Sequence, residues 1–167
     1  MKPVMLFCLA VMACMSIGSA ANAALTGNWT FDGDLTDVVA GNNGAPISAG
    51  PNFSGGMIGQ ALSVSSVGTG VKVSGPWSGN SVANNQIAFS FWQSDSARSN
   101  SSTFWAFSPA AGGTNRGAQA HTPWSNGTIY WDTGGCCAGG TRMTTGSGNT
   151  NDGAFHHFVF QKNGNTK

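Results

Sequence analysis

Polar and apolar positions alternate along this chain in short runs, broken by clusters of Gly, Asn and Ser. Residues 87–92 show it most cleanly: Ile87, Phe89 and Phe91 fall on one side, and Ala88, Ser90 and Trp92 on the other. Residues 155–161 repeat the pattern, with His156, Phe158 and Phe160 opposite Phe155, His157 and Val159. Residues 127–133 set Ile129 and Trp131 opposite Tyr130 and Asp132. Successive side chains of a strand point to opposite faces, so a period of two marks a strand with one side buried. Residues 27–31, 60–64 (Leu62 and Val64 on one face), 70–73 (Val71 and Val73), 103–107 and 117–122 complete the expected set. No window holds a helical period. Many short strands with turn signals between them predict an all-β sandwich or barrel. Asn163-Gly164 near the end is a hairpin signal, and a return strand is expected after it.

The first 23 residues follow a different pattern. Lys2 precedes an apolar run, and Ala21-Asn22-Ala23 matches the small-x-small rule for signal cleavage. The expectation is a secretory leader over residues 1–23 and one domain over 24–167. A membrane anchor is the weaker reading, because a span needs ~20 apolar residues. Val11-Met12-Ala13-Cys14 loosely resembles a lipobox, so lipid anchoring through Cys14 is a minor alternative to release.

Composition narrows the function classes. Charged residues are 8% of the chain, against roughly 25% in an ordinary soluble domain. Lys and Arg do not cluster and the net charge is +1, so no nucleic-acid surface is expected. All six acidic residues are Asp, and there is no Glu. Loss of the leader leaves Cys136 and Cys137 as the only cysteines. Adjacent Cα atoms lie ~3.8 Å apart, below the roughly 4.4–6.8 Å of ordinary disulfides. In an oxidising compartment a strained vicinal disulfide is the leading expectation, with free thiols or a bond to another chain as alternatives.

Four segments, in order, carry a family resemblance: GNWTFDGDLTDVVAGNNGAP (27–46), GGMIGQALSV (55–64), IAFSFWQ (87–93) and GAFHHFVFQKNGNTK (153–167). Together they resemble a laminin G-like, concanavalin A-like jelly roll, with Phe155 standing where Trp is usual. The resemblance implies two antiparallel sheets packed face to face. It also implies a noncatalytic module of a secreted or surface protein, binding a glycan or an extracellular protein partner, sometimes with calcium. Its closing strands do not follow Lys167, so the domain is expected to be incomplete at its C-terminus. An uncovered sheet edge is then expected near Trp29 or residues 155–161.

The candidate chemistry concentrates in residues 116–137. Flat, amphipathic Trp and Tyr rings suit stacking on sugars. Trp124 and Tyr130 are the expected binding platform, with His121, Asn126 and Asp132 as hydrogen-bonding company. Trp131 is expected in the core, with Tyr130 and Asp132 facing out together. Asp37 and Asn42 are the candidate calcium ligands, although Asp and Asn also make turns unaided. Glycan hydrolases of the same fold use paired carboxylates, and retaining hydrolysis needs two roughly 5 Å apart. Without Glu and without a paired Asp on a strand, no catalytic residue is expected. His156 and His157 alternate in face, so they are not expected to share a metal. Asn28, Asn52, Asn100 and Asn126 lie in N-x-S/T sequons.

Overall fold

The computed structural model describes residues 25–48, 50–64, 69–74, 86–97, 100, 103–107, 116–133, 142–146 and 148–167. The leader, Cys14, Cys136 and Cys137 lie outside the described residues. Among the described residues ten strands are formed, all pairing antiparallel, and no helix occurs. They are β1 (Gly44–Pro46), β2 (Asn52–Gly55), β3 (Gln60–Ser63), β4 (Val71–Val73), β5 (Gln86–Ser94), β6 (Phe104–Phe107), β7 (Arg116–His121), β8 (Thr128–Thr133), β9 (Arg142–Gly146) and β10 (Phe155–Asn163).

The main sheet is the meander β6-β7-β8-β9, each strand paired with its neighbours in sequence. Opposite it lies a ribbon of the two longest strands, β5 and β10, paired from Phe155↔Ser94 to Asn163↔Gln86. Two shorter ribbons, β1-β4 and β2-β3, account for the remaining strands. Among the described residues the other edges of β5 and β10 pair with no named strand.

The core sits between the ribbon and the meander, as the alternation in β5 and β10 requires. Phe158 and Phe160 of β10 are buried with Ala118, Ala120 and Trp131 of the meander. Phe89, Phe91, Ile87, Phe104 and Ile129 pack around them. Trp131 is the hub: its ring lies 5.4 Å from Phe160, 6.1 Å from Phe104 and 6.3 Å, edge-on, from Phe89. Its indole N–H donates to the Gln161 carbonyl at 2.9 Å, tying the meander to the ribbon. Ala118 and Ala120 are small enough to let the aromatic rings close over β7.

Three local expectations need correction. Residues 27–31 do not form a strand; Trp29 makes a single bridge to Asp37. Phe31 takes φ +56°, which ends any extended run there, and the Asn28 N–H is held by the Asp37 carboxylate at 2.8 Å. The strand expected over 60–64 ends at Ser63, so Val64 lies past it and is exposed while Leu62 is half-buried. The last turn is centred one residue later than Asn163-Gly164. Asn163 and Thr166 exchange both backbone hydrogen bonds, at 2.9 and 3.0 Å. Gly164 therefore takes the first central position, at φ +58°, as a II′ turn demands.

Candidate functional site

The second face of the meander, turned away from the phenylalanines, gathers the polar and aromatic residues. Strand register makes two rows across it. Gln119, Asp132 and Arg142 form one; His121, Tyr130 and Thr144 form the next. The first row is a closed network. The Arg142 Nε donates to Asp132 Oδ1 at 2.6 Å and its Nη2 to Oδ2 at 2.7 Å, a two-pronged pair. The Gln119 amide also donates to Asp132 Oδ2, at 2.8 Å. Gln119 and Asp132 are each 1% exposed, whereas the Arg142 side chain is 27% exposed. Burial alone would raise the Asp132 pKa, but the hydrogen bonds from Arg142 and Gln119 outweigh it and hold the carboxyl below its usual range. The same bond to Asp132 raises the Arg142 pKa.

Arg142 joins the rows. Its guanidinium carbon lies 4.3 Å from the centroid of the Tyr130 ring, a cation–π distance. Tyr130 meets His121 edge-on at 5.8 Å, and His121 meets Trp124 edge-on at 4.7 Å. Trp124 lies in the β7–β8 connection, just after a cis Thr122–Pro123 bond. The Gly127 N–H donates to the Trp124 carbonyl at 2.8 Å, and Gly127 takes φ +79°. The chain turns sharply there, and a residue with a Cβ rarely adopts that φ. Asn126 works in both directions: its carbonyl accepts the Thr128 N–H at 3.0 Å, and its amide donates to the Tyr130 hydroxyl at 2.8 Å.

The base of this turn is clasped to β5. Thr122 donates to the Gln93 side-chain carbonyl at 2.6 Å, and the Gln93 amide returns a bond to the Thr122 carbonyl at 2.8 Å. The rim that carries Trp124 is thus fixed to the ribbon as well as to the meander.

All five residues expected to form the platform fall in one connected cluster, but at different depths. Asn126 is exposed; Trp124 and Tyr130 are half-buried; His121 and Asp132 are buried. The expected outward-facing Asp132 is corrected, because Arg142 and Gln119 enclose it. Asp132 is therefore a support beneath, and Trp124, Tyr130 and Asn126 are the members of the cluster that reach the surface. Gln119 and Arg142 were not among the expected residues. Gln119 shares the alternation of His121, a signal that was available. Arg142 lies beyond a Gly-rich stretch, and nothing local pairs it with Asp132.

Asp37 and Asn42 are adjacent, yet their arrangement does not fit a cation. The Asp37 carboxylate accepts the N–H groups of Asn28, Val39 and Asn42 at 2.8, 3.0 and 3.1 Å. The Asn42 side chain turns its amide hydrogens toward it, at 3.4 Å. These donors point positive hydrogens where calcium would need lone pairs. Asp37 instead organises the 28–43 loop. Burial alone would raise its pKa, but the backbone N–H groups win and lower it from 3.8 to about 2. A lowered pKa means a stabilising contribution that is complete above pH 3.8 and lost as pH falls toward about 2. Amide-exchange protection at Asn28, Val39 and Asn42 is expected to collapse across that window, and Asp37→Asn should abolish the dependence. Constant wild-type protection through the window would refute this role.

His156 and His157 separate as alternation requires. His156 bonds to Asp152 at 2.9 Å, and His157 to the Ser90 hydroxyl at 2.8 Å on the opposite face. No group of three or more His, Cys, Asp or Glu side chains is placed to share a metal ion among the described residues. Compared with known protein families, with curated proteins and with solved structures, the chain finds no match in any of the three.

Proposed function

We propose that the chain is a secreted, noncatalytic carbohydrate-binding module of the laminin G-like, concanavalin A-like jelly-roll type, carried by a larger extracellular or cell-surface protein. The observation that carries this reading is the Trp124–Tyr130 rim. Two half-exposed aromatic rings are held apart by His121, with the Asn126 amide beside them and a rigid ionic layer beneath. Rings fixed before the ligand arrives lose little freedom on binding. Their apolar faces suit the C–H surface of a pyranose, and Asn126 suits its hydroxyls.

A binding role without catalysis is supported by the state of Asp132. Its carboxyl is buried, ionised and committed to Arg142 and Gln119. A retaining hydrolase needs a second carboxyl roughly 5 Å away, one protonated and one not. The antiparallel meander packed on the β5–β10 ribbon supports the jelly-roll assignment. An adhesive domain that contacts protein partners is the competing reading, since Trp, Tyr and Arg are also the residues that anchor protein interfaces.

A glycan array probed with the full chain tests the proposal. Trp124→Ala is expected to weaken glycan binding by at least about tenfold, the loss of about 1.4 kcal/mol that one stacked ring accounts for. A Trp124 indole N–H signal unmoved by every glycan the array retains, or an array with no bound glycan, rejects the site. A protein partner captured through the same residues would favour the adhesive reading.

A further inference from the structure

The β5–β10 ribbon has a face turned away from the core. Ser90 and Trp92 of β5 and His157, Val159 and Gln161 of β10 lie on it. Trp92 is 48% exposed and Val159 is 52% exposed. Register sets Trp92 directly across from His157, and their rings stack at 4.9 Å with 29° between planes. The Ser90 hydroxyl, one row along, holds the His157 Nε2 at 2.8 Å. The imidazole is thus fixed on its face by the indole and at its edge by the serine. In turn it fixes the indole, which keeps nearly half its surface in solvent.

Scattered exposed apolar residues need no explanation. An exposed Trp whose orientation is locked by a stacked, hydrogen-bonded neighbour is a different object, because its ordering cost has already been met in folding. On this face neither strand presents a Lys, Arg, Asp or Glu; the one charged residue of the two strands, Lys162, pairs with Ile87 and falls on the opposite side by alternation. The platform therefore offers nothing to a polyanion or polycation, and its electrostatic complement is a neutral ligand. A flat ring with an imidazole stacked on it and a serine hydroxyl one row along matches an uncharged sugar, which has one apolar C–H face and a hydroxyl rim. Trp92 and Val159 lie in successive rows, so the apolar strip runs along the strands.

We propose that the outer face of β5 and β10, centred on the Trp92–His157 stack, is a second carbohydrate site that takes a neutral oligosaccharide lying along the strands. It rests on the reading of the chain as a carbohydrate-binding module, but it uses none of the Trp124–Tyr130 residues.

The test is a titration of the isotope-labelled full chain with cellohexaose, laminarihexaose, mannohexaose and chitohexaose, following the indole N–H signals of Trp92 and Trp124 separately. At least one sugar is expected to move the Trp92 signal. Trp92→Thr, which keeps a residue suited to an exposed strand, is expected to weaken that binding at least about tenfold. His157→Ala is expected to weaken it several-fold. A Trp92 signal unmoved by all four sugars overturns the proposal in the wild-type chain, whatever the variants do. So does unimpaired binding by Trp92→Thr. A concentration-dependent dimer abolished by Trp92→Thr would show the face to be covered by a second copy, which also overturns it. Movement of the Trp92 signal with a silent Trp124 would sink the rim site and leave this one standing.

Discussion

Replacing Arg142 with alanine is expected to destabilise the fold by about 3–5 kcal/mol, the cost of stranding a buried charge. The partner left behind decides the size. Asp132 is 1% exposed and loses both Arg142 hydrogen bonds, whereas Arg142 is 27% exposed and can rehydrate if Asp132 is lost. Asp132→Asn should therefore cost less than Arg142→Ala, although both break the same pair. Arg142→Lys keeps the charge but loses the two-pronged geometry, and should fall between wild type and alanine. The double replacement Asp132→Ala with Arg142→Ala should recover part of the loss, because no buried charge remains. Urea unfolding of the four variants checks the ordering. An Arg142→Ala midpoint equal to wild type would show that the pair contributes nothing. The same substitution removes the guanidinium from the Tyr130 ring, so under the proposed carbohydrate-binding role glycan affinity should fall in parallel with stability.

The second large effect is expected at Trp131. Trp131→Ala should cost about 3–5 kcal/mol through lost burial and the cavity left behind. It removes the ring that Phe89, Phe104 and Phe160 all pack upon. Trp131→Phe separates packing from polarity. It keeps an aromatic ring but leaves the Gln161 carbonyl without its 2.9 Å donor, a loss of about 1–3 kcal/mol if no water replaces it. Thermal or urea unfolding reads both. A Trp131→Ala variant within about 1 kcal/mol of wild type would mean that the two layers do not depend on this contact.

These two neighbours explain what the amino-acid sequence could and could not convey. Alternation assigned Ile87, Phe89, Phe91, Phe158 and Phe160 to a common interior, because each of their strands has one dry and one wet side. In β8 the same rule separated Trp131 from Asp132 correctly by face. It could not show that both faces are covered, since the covering groups, Arg142 and Gln119, arrive from other strands. Asp37 posed a related difficulty. An Asp/Asn/Gly loop is equally suited to binding calcium and to capping its own backbone, and only the path of the chain tells whether lone pairs or N–H groups converge. Trp92 fell on the side opposite Phe91, as the pattern required. Its stack with His157 depends on a register set between residues more than sixty positions apart, which no local window contains.

That distance also bears on how the molecule assembles. The meander is a set of consecutive strands, and each of its pairings closes a modest stretch of chain. The ribbon joins Ser94 to Phe155 at its near end and Gln86 to Asn163 at its far end. It cannot form until everything between has been drawn in, and long-range β pairing of this kind slows folding. One wall of the core is thus built from neighbours, while the other waits on the ends of a long loop to meet. Until they do, Phe89, Phe91, Phe158 and Phe160 are left in water on two unpaired strands. The interval before the ribbon closes is when this chain is most exposed to association with its own copies.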